Sequence, residues 1–227
     1  MTKCQRGRSL RTMSYVAERR QEEKDRRRAE MVDAAVELYR EVGWDAVTMD
    51  AVAKRARLSR ALVYVYFKDK DDLHAAIVLR SFELLERRFA EAASRVRLGI
   101  DKVEALGRAY MAFAHEMPHF FDACARFEAC TPVADNPDSP LVACFDAGQR
   151  VHRHTIDALE AGARDGSIRQ DLGDSKTSAV ALWGFSHGLI QIAIHKANVL
   201  THDGISVPQL LEHAIGMLRG MLAPPTP

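Results

Sequence analysis

The chain has 227 residues, 47% hydrophobic and 28% charged, the composition of a soluble globular protein with room for one large domain or a small one followed by a larger one. Its four cysteines (Cys4, Cys124, Cys130, Cys144) form no close C-x-x-C pair, which excludes zinc-ribbon and thioredoxin chemistry. The net charge of +1 hides a split: residues 1–70 hold 17 Lys and Arg against 11 Asp and Glu, residues 71–227 hold 15 against 20, the asymmetry expected when one end meets a polyanion.

Residues 1–27 form a basic tail, expected to be flexible and solvated, with a DNA-following arm as the sharper alternative. Met13 offers an alternative start. The N-terminus lacks the apolar core of a signal peptide, so a cytoplasmic chain with reduced thiols is expected. After the tail every periodic segment is helical, and the fold class is all-α. Val32, Ala35, Val36, Tyr39 and Val42 recur on one face of an amphipathic helix, and Gly43 follows as its C-terminal cap. Thr48 caps a second, short helix with Met49, Val52, Ala53 and Ala56 inside. Ala56-Arg57-Leu58 is a tight connection to a third helix capped by Ser59 and ending near Phe67. Asp69 caps a fourth, whose first turn holds Asp71 and Asp72 and whose buried stripe is Leu73, Ala76, Ile77 and Leu84.

Further helices are expected near 101–117, 118–130, 140–164, 175–196 and 207–222. Thr131 to Pro140 is a loop on its prolines, with Ser139-Pro140 opening the next helix. Asp165-Gly166 and residues 171–174 are turns. Ala179 to Ile194 is apolar on nearly every face. It is too short for a membrane span, contains Ser186, His187 and Gln191, and needs a partner surface to cover it.

Residues 48–67 have the layout of a helix-turn-helix, the first helix bracing a second that presents its leading turn to the major groove. Arg60 has a planar fork matched to guanine, and Leu62 can press on a thymine methyl. Val63 and Phe67 face the core, which leaves Tyr64 and Tyr66 for phosphates, and Lys70 stands at the start of the fourth helix. This stretch, Thr48, Ala53 and SRALVYVYFKDKDDL above all, resembles the DNA-binding domain of the TetR family of bacterial regulators. The resemblance implies phosphate contacts at Ser59, Tyr64, Tyr66 and Lys70, and base readout at Arg60 and Leu62. Thr48, Arg57 and Ala61 belong to the same surface. The family usually has Gly at the place of Arg57 and often at that of Ala61; an arginine in the turn carries about 1 kcal/mol of strain or forces another turn.

The expected organisation is a tail at 1–27, a DNA-binding domain at 28–75 and a helical sensing and dimerisation domain at 76–227. Trp183, Gly184, His187, Gly188 and Gln191 are the candidate dimer seam, the glycines allowing close helix approach. The WGFSHG run resembles a signature of some TetR C-terminal domains, which implies a four-helix bundle formed by this helix and the last one with their two-fold mates. Candidate effector-pocket residues are Met111, Phe113, Met117, Phe120, Phe121, Phe127 and Phe145, with His115, Cys124 and His187 as polar or soft points. The composition favours an apolar or aromatic effector. The expected partners are double-stranded operator DNA, a small-molecule effector and a second copy, with no membrane and no cofactor, and the chain is not an enzyme. Two alternatives stand beside this reading. One is redox sensing through Cys124 and Cys130. The other is a zinc hydrolase through His115-Glu116-Met117-Pro118-His119, which Pro118 opposes by breaking the helix the motif needs.

Overall fold

A computed structural model describes residues 4–128 and 139–225. The loop expected at 131–140 lies outside these residues apart from its last two, and Cys130 lies outside them too. The described residues form ten α-helices and no strand. They divide into two compact units, Met1–Ile77 and Val78–Pro227, a boundary two residues beyond the expected one.

In the first unit, α1 (Cys4–Val42) is helical from Cys4 onward, where an irregular tail was expected. The reason is local: residues 4–42 contain no proline, and Glu23 pairs with Arg26 and Arg27, and Arg27 with Glu30, at helical spacing. Met31, Val32, Ala35 and Tyr39 form the buried face; Val42, expected with them, is exposed at the helix end. Gly43 turns the chain at φ 77° into a 3₁₀ turn, Trp44–Ala46, whose Trp44 is buried. Then follow α2 (Met49–Arg55) and α3 (Arg60–Tyr66). Arg55 reaches Glu37 at 3.1 Å and Glu41 at 2.6 Å, tying α2 to α1. Val63 and Phe67 are fully buried and anchor α3, with the Arg28 guanidinium 5.1 Å from the Phe67 ring centre.

α4 (Lys70–Ser94) gives its first turns to this unit and the rest to the second. Asp69 caps it by accepting the Asp72 N–H at 2.8 Å. Its stripe continues past Ile77 through Phe82, Leu85 and Phe89; Leu85, not the expected Leu84, is the buried leucine. The second unit is built around α5 (Gly99–Glu116), packed by α6 (Pro118–Glu128), α7 (Pro140–Asp165), α8 (Ser175–His195) and α10 (Val207–Leu222). A short α9 (Ala197–His202) was not anticipated. The residue before α5, Leu98, has no capping side chain, so the other end of α7 supplies one. The Asp165 carboxylate accepts the Gly99 N–H at 2.8 Å, and Ser167 Oγ accepts that of Ile100 at 3.1 Å. Hydrogen bonds from the Ser167 side chain first, then from the Gly99 and Ser167 N–H groups, hold the Asp165 carboxyl below its usual range. At this crossing a Cβ on Gly99 would lie on the backbone of Gly162, so α5 and α7 meet main chain to main chain. Arg219 pairs with Asp101 at 2.8 Å and Glu104 at 2.9 Å, and Arg108 with Glu212, fixing α10 along α5.

Candidate functional site

Two places on the molecule concentrate the residues singled out by sequence. The first is the α2–turn–α3 segment. Thr48 Oγ1 accepts the Ala51 N–H at 3.2 Å and Ser59 Oγ accepts that of Leu62 at 3.2 Å, so both hydroxyls cap their helices as expected. Between them Arg57 sits at φ 57°, the one non-glycine residue with positive φ among the described residues. The Leu58 N–H reaches the Ala53 carbonyl at 2.9 Å and the Arg57 N–H that of Lys54 at 3.2 Å, the paired bonds of a Schellman ending. The arginine has therefore taken the glycine conformation rather than another turn.

The face that α3 leaves open is set by helical periodicity. Arg60, Ala61, Tyr64 and Val65 are exposed at i, i+1, i+4 and i+5, while Leu62, Val63 and Tyr66 turn inward to different degrees. Leu62 is half-buried, and the apolar side chain the face offers is Val65, 76% exposed and not anticipated. The Arg60 Nε lies 2.9 Å from Asp50, and its guanidinium 5.5 Å from the Tyr64 ring centre. The Tyr64 contact first, then the Asp50 charge, raises the Arg60 pKa. Asp50 escaped the sequence reading, although its place in the first turn of α2 faces the start of α3. Lys70 donates to the Asp45 carbonyl at 3.1 Å and stands 4.9 Å over the Trp44 ring, half-buried, so its ammonium is fixed at the edge of the same surface.

The second place is a cavity of about 270 Å³ inside the second unit, walled by α4, α5, α6, α7, α8 and α10. Of the expected pocket residues it gathers Phe113, Phe121, Cys124, Phe127 and Phe145. Met111, His115, Met117, Phe120 and His187 do not line it. Met111 and Phe120 are packed into the core, His115 is exposed, and Met117 lies against Arg88 at the α5–α6 junction. Phe82, Leu85 and Phe89 of α4 supply a wall that was missed; their i, i+3, i+7 spacing carries the signal. Trp183, expected at a subunit seam, turns its indole to the cavity and donates from Nε1 to the Tyr110 hydroxyl at 3.3 Å. Tyr110 Oη is also 2.9 Å from His187 Nδ1, and the His187 ring stacks on Phe121 at 5.1 Å. Gln191 Nε2 lies 3.3 Å from His187 Nε2. Burial pushes the pKa of His152 and of His187 down.

Other expected features fall as follows. The apolar run expected at 179–194 lies inside α8, which at 21 residues is by length and composition long enough to cross a membrane; its Trp183 and His187 contacts instead face Tyr110 in the core. Gly184 and Gly188 face open space, and Val180, Ile192 and Ile194 are exposed, so in one chain this helix is not covered all round. α5 stops at Glu116 and Pro118 opens α6, which puts the two histidines of HEMPH on different helices. Cys124 is buried and its expected partner Cys130 lies outside the described residues.

Comparison with known proteins gives the same division. Residues 31–77 match the family described as bacterial regulatory proteins, tetR family, and residues 103–218 match the tetracyclin repressor-like C-terminal domain. The HTH-type transcriptional regulator HbdR of Aromatoleum sp. (strain CIB) is 39% identical over 49 residues, 22% of this chain and 21% of that protein. The HTH-type transcriptional activator FasR of Mycolicibacterium smegmatis is 30% identical over 96 residues, 42% of each. The matches thus span between about a fifth and two-fifths of these curated relatives. A bacterial regulatory protein in the tetR family from Rhodococcus RHA1 has the same fold at a TM-score of 0.65, with 17% identity over 88% of this chain and 98% of that one.

Proposed function

The chain belongs to the TetR family of bacterial regulatory proteins, and from that premise we propose that it is a cytoplasmic transcriptional repressor that binds a palindromic operator as a homodimer and is released by a small apolar or aromatic effector. The observation that carries the DNA half is the exposed face of α3. A helix capped by Ser59 and anchored by Val63 and Phe67 holds Arg60 at its leading turn, with Tyr64 and Lys70 on the flanks. Arg60 reads a guanine edge, and Thr48, Arg57, Ser59, Tyr64, Tyr66 and Lys70 meet phosphates. Two such helices reach successive major grooves only if a two-fold dimer sets them about 34–36 Å apart. The open glycines of α8 and the exposed Val180, Ile192, Met217 and Met221 on α8 and α10 support that pairing.

The observation that carries the sensing half is the apolar cavity. A ligand that binds it more tightly in one dimer arrangement than in another shifts the population toward that arrangement, and the operator is released if its α3 spacing is wrong. The test is a selection of double-stranded genomic fragments by the purified full chain at low ionic strength, then footprinting with and without candidate ligands. A dyad-symmetric footprint that a ligand abolishes is expected. A folded chain that retains no fragment overturns the proposal. FasR is an activator by name, and the position of the footprint relative to the promoter decides the sign of regulation.

A further inference from the structure

We propose that the cavity takes an uncharged, largely aromatic molecule carrying one oxygen, a hydroxyl or a carbonyl, that hydrogen-bonds to Ser186 Oγ and the His152 imidazole. The inference rests on the sensing role proposed above and names the ligand class of that site.

The wall decides the charge. Phenylalanines 82, 89, 113, 121 and 127 dominate it, and no Asp, Glu, Lys or Arg lines it. An ion entering about 270 Å³ of such space would lose its hydration and find no counter-charge. Burial lowers the pKa of His152, which disfavours the protonated ring that would otherwise receive an anion.

The wall also decides where the oxygen sits. The Tyr110 hydroxyl is already committed to His187 and Trp183. Of the other polar side chains on the wall, which include Gln149 and Thr155, two flank the Trp183 indole and are not so committed. Ser186 is 7% exposed, lines the cavity, and its hydroxyl bonds to no described residue. The His152 ring meets Trp183 edge-on at 5.2 Å, and its nitrogens have no hydrogen-bond partner among the described residues. Ser186 stands one helical turn after Trp183, so both groups flank the same indole. Neither group is sealed in the core: Ser186 and the half-buried His152 both face the cavity, where a ligand oxygen takes the place of solvent as their hydrogen-bond partner.

The probes are 4-propylphenol, propylbenzene and 4-propylbenzoate at pH 7.5. Binding is followed by calorimetry and by Trp183 fluorescence in full-length chain carrying Trp44→Phe. The phenol is expected to bind about tenfold more tightly than propylbenzene, the worth of one good hydrogen bond, and the benzoate most weakly. Ser186→Ala brings the phenol down to the hydrocarbon and leaves the hydrocarbon unchanged; His152→Phe acts in the same direction. Gly148→Leu, whose Cβ would sit 3.4 Å from the Phe82 ring, fills the space and abolishes all binding. The proposal is overturned if the benzoate binds as well as the phenol. It is equally overturned if Ser186→Ala and His152→Phe both keep the phenol preference, or if the unblocked chain binds none of the three at millimolar concentration. DNA retention is measured in parallel on the full chain with Trp44 intact, whose ligand order is read by calorimetry. Its loss with the ligand order intact overturns the regulator reading alone, and the reverse result overturns the ligand class alone.

Discussion

Replacing Arg57 by glycine should stabilise the protein, because the turn between α2 and α3 already asks for one. At φ 57° the arginine Cβ crowds the carbonyl that follows it, which costs about 1–2 kcal/mol for an L-residue. Glycine removes that cost but loses about 0.5–1 kcal/mol through its freer unfolded chain. The side chain is exposed and forms no hydrogen bond or ion pair with a described residue, so nothing else is lost on the folded side. The net expectation is a gain of about 0.5–1 kcal/mol, read as a higher urea midpoint at unchanged m-value. Arg57→Ala is the control: it keeps the backbone cost and the β-carbon, so its midpoint should stay within about 0.3 kcal/mol of the parent. Both variants remove one cation, so both should lower the salt dependence of DNA binding by about one unit if Arg57 meets a phosphate. A glycine variant no more stable than the alanine variant would refute the strain argument.

Arg60→Ala should weaken operator binding by about 1–3 kcal/mol more than it weakens binding to random duplex; an equal loss on both would remove base readout from Arg60. Lys70→Ala should lower the slope of log affinity against log salt by about one, and an unchanged slope would leave Lys70 as a clamp on Trp44 and Asp45 only. The His152 pKa is depressed from its ordinary 6.5, so the unfolded chain takes up that proton first. Its contribution to stability is present above about pH 6.5 and is lost as pH falls toward the depressed value. His152→Phe should flatten the decline in urea midpoint between pH 7.5 and 5.5, and a decline as steep as the parent's would sink the assignment.

Much of the architecture could be read before any coordinates, because it rests on local chemistry. Thr48, Ser59, Asp69 and Ser139 cap the helices they were expected to cap, since a short oxygen-bearing side chain before an apolar run has few other uses. Val63 and Phe67 were legible from their spacing. What stayed hidden depends on neighbours distant in sequence. The Asp50 contact with Arg60 crosses a turn that had to be built first. Phe82 and Phe89 look like any core stripe until α7 and α8 arrive opposite them. Trp183 reads equally well as a seam or as a wall, until Tyr110, 73 positions away, accepts its indole N–H and the His152 ring packs edge-on against it. The N-terminal stretch shows the opposite failure: its charges look disordering in composition, yet their spacing favours a helix.

The glycine contact between α5 and α7 gives that helix pair a fulcrum. Gly99 touches Gly162 at one end, and the cavity opens between the same helices further along, toward Phe113 on one and Cys144 on the other. Fourteen residues of helix separate the fulcrum from Phe113, a lever arm of about 21 Å. A swing of about 5° at the glycines therefore displaces the far end by about 2 Å, the half-thickness of an aromatic ring, without parting the main chains at the pivot. Any tilt of one rod about that point changes the width of the cavity at its far end, with the caps from Asp165 and Ser167 lying at the base where displacement is least.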